Sequence, residues 1–203
     1  MYCGSVGSSA EERLAAVAAE ARACIVCAPH LPLGPRPVFQ ASATARLLIV
    51  GQAPGTRVHE SGVPWSDRSG DRLRLWTGLD SATFYNAAKV ALLPMGLCYP
   101  GRLRGGGDAP PRPECAPLWH ERLSHAMPAV RLTLLVGFYA QTYASGRGSL
   151  TTRVRDFGRY LPAQFPLPHP SWRVAGWEKR NPWFADEVLP ALRQAIEAAV
   201  NGG

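Results

Sequence analysis

Four of the five cysteines form two pairs whose spacing could bind a metal. Cys24 and Cys27 form a CxxC motif, and sixteen residues separate Cys98 from Cys115. Four thiolates in this pattern suit zinc or an iron–sulfur cluster, although the second pair is wider than the short knuckle of a zinc ribbon. The alternative is that Cys98 and Cys115 are buried apolar residues and the CxxC motif binds nothing. Cys3 is the odd cysteine and is not expected to be a ligand.

One histidine stands out as a candidate for catalysis. His169 lies between two prolines, and the hydroxyl of nearby Ser171 can hydrogen-bond the turn. A rigidly held imidazole can donate a hydrogen bond to negative charge that develops during a reaction. The alternative is a buried histidine whose hydrogen bonds are satisfied inside the fold. His120 and His125 are expected on the surface of a helix.

Basic and aromatic residues alternate near the end of the chain: Trp172, Arg173, Trp177, Lys179, Arg180 and Trp183. Tryptophan and arginine together suit base stacking and phosphate contact. The alternative is that Trp177 and Trp183 pack in the core, as we expect for Trp183. The formal net charge of +7 favours an anionic partner, with nucleic acid ahead of a membrane surface.

A buried strand at residues 45–50 must position these groups. Its apolar run ends in Gly-Gln-Ala-Pro-Gly at residues 51–55, which is typical of a strand buried on both faces of a parallel sheet. Ligands of open α/β sheets bind at the carboxyl ends of the strands. We therefore expect this turn to line a pocket, the alternative being an ordinary strand-to-loop connection.

The rest of the chain alternates strands and helices, which predicts an α/β domain with a largely parallel sheet. Further strands are predicted at residues 90–95, 132–137 and in 165–173, and helices at 11–23, 71–79, 117–127, from 139 onward and at 183–200. Ser8 or Ser9 would cap the first helix, and Asn181 the last, with Pro182 in first position. Residues 28–42 are expected to run extended over the surface and residues 56–70 to form a polar loop.

Five motifs in order resemble the uracil-DNA glycosylase superfamily, most closely its family 4, the iron–sulfur type. Residues 51–55 are similar to that family's Gly-Glu-Ala-Pro-Gly, and Gly62-x-Pro64-Trp65 with Gly70 resembles its Gly-x-Pro-Phe and following glycine. Residues 135–140 resemble its Leu-Gly-x-x-Ala segment, and residues 169–171 match its His-Pro-Ser. The four paired cysteines fall where that family's cluster ligands fall.

The resemblance implies a three-layer α/β/α fold with a mostly parallel four-stranded sheet. We expect a single domain over residues 1–203, with residues 1–9 disordered. The implied activity is base excision repair: hydrolysis of the N-glycosidic bond of uracil or another deaminated base in DNA, with the base flipped into a pocket.

The resemblance also implies roles for particular residues. The base pocket would be lined by Gly51, Ala53, Pro54, Gly55, His59 and Trp65. Trp65 would stack on the base, His169 would hydrogen-bond the uracil O2, and Gln52 would position water. Ser171, Trp172 and Arg173 would enter the duplex. A structural [4Fe–4S] cluster would be bound by Cys24, Cys27, Cys98 and Cys115, with zinc as the second choice. We further predict phosphate contacts from Arg102, Arg104, Arg173, Lys179 and Arg180 on the face around the pocket mouth.

Two departures from the family pattern bear on the activity. Gln52 replaces an acidic residue, and Pro94 stands where an asparagine usually reads the uracil edge. Glu60, Asp67 and Asp71 are carboxylates that could substitute, and the spacing does not select one. The alternative function is therefore a catalytically weak or inactive nucleic-acid-binding member of the same fold.

The remaining expectations concern partners and location. Residues 1–10 lack a basic region followed by an apolar stretch, so no secretory signal is expected. Cysteines without such a signal favour a reducing compartment. We expect a cytoplasmic monomer that binds single- or double-stranded DNA carrying a damaged base, and no membrane.

Overall fold

A four-stranded sheet forms the centre of the fold. The computed structural model describes residues 9–202. Its strands are β1 (Leu47–Val50), β2 (Val90–Leu92), β3 (Leu132–Val136) and β4 (Gln164–Leu167). They pair in the order β2-β1-β3-β4, and every pair is parallel. The strand order reverses between β1 and β3, so the carboxyl ends of these strands form the kind of crevice where α/β sheets bind ligands.

Helices cover both faces of the sheet and give the predicted three layers. In chain order they are α1 (Ala10–Arg22), α2 (Thr56–Ser61), α3 (Arg68–Thr77), α4 (Ser81–Phe84), α5 (Cys115–His125), α6 (Phe138–Ser145), α7 (Leu150–Arg155), α8 (Val174–Arg180) and α9 (Leu189–Asn201). Side chains of a strand alternate between faces. Leu48 and Val50 pack with α1, α5 and α6, whereas Leu47 and Ile49 pack with α3, α7, α8 and α9.

Helix α1 begins as its sequence predicts. The Ser9 hydroxyl accepts the Glu12 N–H at 3.2 Å, and the Glu12 carboxylate accepts the Ser9 N–H at 2.7 Å. This reciprocal pair satisfies two amide donors that a helix start leaves free. Ser8, Cys3 and the expected disorder before Ser9 lie outside the described residues. Between residues 9 and 202, no helix is long and apolar enough to cross a membrane.

The last helix differs from the prediction of one helix over 183–200 capped by Asn181. A π-helical turn at Phe184–Val188 precedes α9, and the Asn181 side chain donates backward to the Trp177 carbonyl at 2.8 Å. Asn181 thus terminates α8, a helix that the sequence pattern did not reveal. The following π-helical turn starts after Trp183 and has no side-chain cap.

Two segments predicted as irregular are more ordered than expected. Residues 56–70 contain α2 and the start of α3, which Asp67 caps. Within residues 28–42, Val38 and Phe39 are buried, and Gln40 forms an antiparallel bridge with Leu92. Because β2 is an edge strand, its outer N–H and C=O groups need such a partner.

Candidate functional site

A cavity of about 600 Å³ opens at the carboxyl edge of the sheet, and we call it the strand-end cavity. Ten residues that the sequence singles out line it: Gly51, Gln52, Ala53, Pro54, Gly55, Trp65, His169, Ser171, Trp172 and Arg173. Its lining also includes Asp67, Arg68, Arg72, Pro94 and Asp108. The turn after β1 therefore lines a cavity, as expected from its position at a strand end.

Trp65 packs directly on the floor of this cavity. A Cβ added to Gly51 would lie 2.6 Å from the indole Cζ2 of Trp65, so only glycine fits beneath the ring. The Trp65 and His169 rings lie 5.9 Å apart between centroids, with their planes tilted by 32°. The indole and the imidazole thus share one wall of the cavity.

The backbone of Trp65 is held in an unusual conformation. Its φ of 57° lies in the left-handed region, which a bulky residue rarely adopts. Its carbonyl accepts hydrogen bonds from Arg74 at 3.3 Å and from the Tyr85 hydroxyl at 3.2 Å. A Cβ on Gly70 would lie 1.7 Å from the same carbonyl oxygen. Such over-determined strain is frequent at functional sites, and here it fixes the position of the indole.

His169 follows β4, and its buried position favours the neutral imidazole over the charged form. Burial lowers its pKa, and the nearby Asp67 carboxylate offsets part of that effect. Gly137, with φ of 88°, brings the start of α6 against it: a Cβ there would lie 3.2 Å from the Cβ of His169. A neutral imidazole retains one N–H donor, and His169 lines the cavity.

The side chain of Gln52 is engaged with the loop opposite. Its Nε2 donates to the Ala109 carbonyl at 3.3 Å. This loop belongs to residues 101–109, where an antiparallel bridge joins Arg102 and Asp108. Gln52 therefore links the cavity floor to a segment that is far away in sequence.

Two carboxylates flank the same part of the cavity. A Cβ added to Gly55 would lie 3.4 Å from Oδ2 of Asp108 and 3.9 Å from Oδ2 of Asp67. Among the three carboxylates that the sequence offered as substitutes, Asp67 lines the cavity, whereas Glu60 and Asp71 do not. The cavity floor is thus acidic despite the amide at position 52.

Sequence reasoning did not single out Asp108. The residue is exposed at the cavity mouth, with its carboxylate turned toward Gly55. Although the residue as a whole is exposed, partial desolvation of its carboxyl at the cavity raises the pKa of that group; Arg102 lowers the pKa, and Asp67 raises it. In the sequence, Asp108 is marked only as an acidic residue within an arginine-rich loop. The sequence does not show that this loop packs at the cavity.

Cationic side chains approach the cavity from two sides. Arg68 and Arg72 line it from α3, and Arg173 lines it from the loop after β4. Arg72 donates to the Ser171 carbonyl at 2.9 Å, and the Arg173 guanidinium carbon lies 5.2 Å from the Trp172 ring centroid. Arg68 and Arg72 were not predicted, although residues four apart lie on one face of a helix.

Several predicted site residues lie elsewhere. His59 is buried on α2 with its ring 6.1 Å from that of Tyr99, and it is outside the cavity lining. Lys179 and Arg180 are exposed at the end of α8, and they also do not line the cavity. The α2 helix turns the His59 side chain toward the loop after β2 rather than toward the strand ends.

His120 lies outside the cavity lining and contacts Pro94, which lines the strand-end cavity. His120 is 3% exposed, which corrects the expectation of a surface histidine. Its Nε2 lies 2.7 Å from the Pro94 carbonyl and donates to it, because a carbonyl only accepts. Burial lowers the pKa of this imidazole. Pro94 itself presents no side-chain hydrogen-bonding group to the strand-end cavity.

The four paired cysteines line a second cavity, which we call the cysteine cavity. Cys24, Cys27, Cys98 and Cys115 lie around it, together with apolar residues that include Leu97. Within residues 9–202, no three His, Cys, Asp or Glu side chains are spaced to hold a metal ion as they stand. Four sulfur donors are the set that zinc and iron–sulfur clusters use.

One N–H donor is directed at these sulfurs: the Leu97 N–H donates to Cys115 at 3.2 Å. The backbone of Arg36 and the Arg112 guanidinium lie near Cys98 and Cys27, where each lowers the pKa of the thiol and offsets part of the effect of burial. Donors of this kind stabilise thiolates and tune bound clusters. Burial raises the pKa of Cys115 to about 12 and also raises those of Cys27 and Cys98. Metal binding would therefore release protons from these thiols. The donor set fits a thiolate-bound group.

One segment after β2 separates the two cavities. Pro94 lines the strand-end cavity, whereas Gly96, Leu97 and Cys98 line the cysteine cavity. The N–H groups of residues 95 and 96 donate to the carbonyls of residues 51 and 52, each at 2.9 Å. The cavity floor is therefore anchored on the segment that carries Cys98.

A family model described as the uracil DNA glycosylase superfamily matches residues 38–193, which is more than half of the chain. The chain belongs to the uracil DNA glycosylase superfamily. This membership supports DNA glycosylase activity in general. The match contains the whole lining of the strand-end cavity but begins after Cys24 and Cys27.

Proposed function

We propose that this protein is a DNA glycosylase that hydrolyses the N-glycosidic bond of uracil or another deaminated base in DNA. The observation that carries the proposal is the convergence of the residue 51–55 turn, Trp65 and His169 on one cavity, in a chain of this superfamily. Such an enzyme must take the base out of the stack, because its target bond is inaccessible within the duplex.

Cleavage of the glycosidic bond creates opposite charges on the base and on the sugar. As the bond between the sugar and the base breaks, negative charge develops on the base and positive charge on the sugar. The base stacks on the Trp65 indole. The neutral His169 imidazole donates a hydrogen bond to the developing anion, where a preorganised donor contributes about 10²–10³ in rate.

Binding to DNA relies on the mouth of the cavity. Trp172 is 77% exposed, so its indole is free to enter the space that a flipped nucleotide leaves. Arg68, Arg72 and Arg173 surround the opening and contact phosphates. Lys179 and Arg180, exposed at the end of α8, would extend this footprint along the strand.

We also propose a structural [4Fe–4S] cluster on Cys24, Cys27, Cys98 and Cys115, as in family 4. The shared cavity, the Leu97 N–H donor to Cys115 and the Arg36 backbone and Arg112 guanidinium near Cys98 and Cys27 support it. When bound, the cluster supplies a cross-link and no electron, because hydrolysis needs none. Its ligands would join the end of α1 to the loop after β2 and to the start of α5.

A second candidate function is nucleic-acid binding without efficient catalysis. The Gln52 amide is engaged with the Ala109 carbonyl, and Pro94 offers no side-chain group to read a base edge. At position 52 the amide lacks the charge that the acidic residue of the family would use to activate water. At position 94 the proline lacks the side chain with which the family asparagine reads the base.

Single-turnover base release separates the two functions. Purified protein is incubated with oligonucleotides that carry uracil, hypoxanthine or xanthine, and abasic sites are cleaved and counted on a gel. The glycosylase proposal predicts abasic-site formation on at least one of these strands, single- or double-stranded. Tight binding without base release on all of them would reject that proposal and favour the binding protein.

A further inference from the structure

A small hairpin crosses the mouth of the strand-end cavity. Within residues 101–109, the Leu103 N–H donates to the Gly107 carbonyl at 3.0 Å, and the Ala109 N–H donates to the Gly101 carbonyl at 2.9 Å. Arg102 and Asp108 face each other across this hairpin as an antiparallel bridge.

The hairpin is docked at two points. On the floor side, the Gln52 amide donates to the Ala109 carbonyl at 3.3 Å. On the opposite side, the Arg173 guanidinium donates to the Gly106 carbonyl at 3.5 Å, and a Cβ on Gly107 would lie 3.3 Å from it. These contacts orient the one acidic residue of the hairpin toward the cavity.

The Asp108 carboxylate faces a space that only glycine leaves open. A Cβ on Gly55 would contact Oδ2 of both Asp108 and Asp67 within 4 Å. Gly55 has an extended backbone with φ of −81°, so its lack of a side chain is not required by the backbone angle. The gap above Gly55 is therefore open to a small molecule, such as water, between two carboxylates.

We propose, on the basis of the glycosylase function above, that Asp108 takes the proton from the attacking water and that Gln52 is the positioning residue that docks its hairpin. Asp67 is less free to do so, because its Oδ1 accepts the Gly70 N–H at 2.9 Å as the cap of α3. The polar residue at position 52 thus acts through the hairpin that it holds.

The step balances without a further reactant. An O–H bond of water breaks, and its proton passes to a carboxylate oxygen of Asp108. The water oxygen bonds to the sugar carbon C1′ as the bond from C1′ to the base nitrogen breaks. The electron pair of that bond leaves with the base, where His169 hydrogen-bonds it. Solvent later takes the proton from Asp108 and protonates the base.

The pKa of the Asp108 carboxyl depends on the charged groups around it. Arg102 lies on the same hairpin, Asp67 caps α3, and Arg68 and Arg173 line the cavity around it. Partial desolvation of the carboxyl and the nearby Asp67 raise the pKa of Asp108 while Arg102 lowers it, with a net upward shift. A base is more effective when its pKa approaches the working pH. The rate should therefore fall as pH drops through this raised pKa.

The test compares base release by the wild type with that by Asp108→Asn, Gln52→Ala and the double variant. Asp108→Asn should slow release about 100-fold or more and remove the acid limb of the pH–rate profile. Gln52→Ala should slow release about 10-fold in the wild-type background but cause no further loss in Asp108→Asn, because the two residues act as one unit. Asp186→Asn is the matched control, since Asp186 is exposed and lies outside the cavity lining.

Folding is monitored by thermal melting. The raised folded-state pKa means that the folded chain binds more protons than the unfolded one between the two pKa values, so stability falls as pH rises through that window. Asp108→Asn should therefore melt no lower than the wild type at neutral pH. Gly55→Ala provides a second route, because its methyl would occupy the gap between the carboxylates and should slow release with the fold intact.

The outcomes distinguish the two proposals. Wild-type release with an undiminished Asp108→Asn rate and an unchanged acid limb would overturn the role of Asp108 and leave the glycosylase function standing. An additive double variant would overturn the role of Gln52. If the wild type releases no deaminated base, the glycosylase function fails, and the role of Asp108 fails with it.

Discussion

The strand-end cavity and the cysteine cavity share a wall but differ in how the chain builds them. The first is formed where parallel strands end, so the sheet itself brings its residues together, and the family match contains all of them. The second joins the segment after α1 to the loop after β2 and the start of α5, and Cys24 and Cys27 precede the family match. The first cavity therefore depends on the sheet, and the second on contacts between distant segments.

This difference indicates that the two cavities have separate functions. The strand-end cavity is open and carries acids, arginines and a neutral histidine, which are groups for chemistry on a charged substrate. The cysteine cavity is lined mainly by sulfur and apolar side chains, which suits a cross-link. Because the segment of residues 94–98 contacts both, damage to the cysteine cavity should also reach the cavity floor.

The largest expected effect is on stability. Replacing one cysteine, Cys24→Ala, should remove the cluster and lower the free energy of unfolding by about 4.6 kcal/mol, the loop-closure value for a cross-link that spans roughly 90 residues. Visible absorbance, iron content and denaturant melts measure the two effects. Cys3→Ser is the matched control and should change neither.

Two results would revise this prediction. A colourless protein that binds one equivalent of zinc would reject iron–sulfur but keep the site. Metal-free protein whose melting is unchanged in Cys24→Ala would reject both metals.

The next largest effect concerns catalysis alone. His169→Ala should lower single-turnover base release about 10²–10³-fold, because it removes the donor to the developing anion. Iron content should not change, since His169 lies outside the cysteine cavity. His125→Ala, on the exposed side of α5, is the matched control. An unaltered rate in His169→Ala would show that another group stabilises the departing base.

Much of the strand-end cavity could be predicted from local patterns. The apolar run of β1 and the Gly-Pro turn after it indicate a buried strand and its functional end, and the Pro-flanked His169 is recognisable as a fixed group. The cysteine pairs were likewise visible as spacing. The β1 run, its turn and His169 depend on adjacent residues, so one segment is enough to reveal each of them, whereas the spacing of the cysteines does not show that the two pairs meet.

The features that the sequence did not reveal depend on how segments of the chain pack against one another. The role of Asp108 requires the hairpin of residues 101–109 to fold over the cavity, and the Gln52 contact that holds it joins residues 57 apart in sequence. From the sequence alone His120 is expected on the surface of a helix, but it is buried and donates to the Pro94 carbonyl. Asn181 has the sequence of an N-cap, yet its amide bonds the preceding helix. The first two depend on neighbours that are distant in sequence, and the third depends on a helix, α8, that the sequence pattern did not reveal.

A smaller effect should follow from changing the stacking surface. Trp65→Ala should weaken capture of the flipped base by roughly 1–3 kcal/mol, the usual cost of losing one base–aromatic stack. Trp65→Phe is the conservative control and should retain most of this affinity. Binding is measured with an oligonucleotide carrying a non-cleavable deaminated base. Equal affinities for Trp65→Ala and the wild type would mean that the base does not stack on this ring.

The smallest expected effect concerns the cationic rim and separates it from the rest of the surface. Arg68 is exposed and lines the strand-end cavity, whereas Arg180 lies at the end of α8 outside it. Each lost phosphate contact should reduce the slope of log affinity against log salt by about one unit. Arg68→Ala should show this reduction, and Arg159→Ala should not, because Arg159 is exposed and lies outside the cavity lining. A reduction in Arg180→Ala as well would extend the DNA footprint to α8. If Arg68→Ala and Arg159→Ala have the same slope as the wild type, phosphates do not contact this rim, and the DNA must approach the cavity from another side.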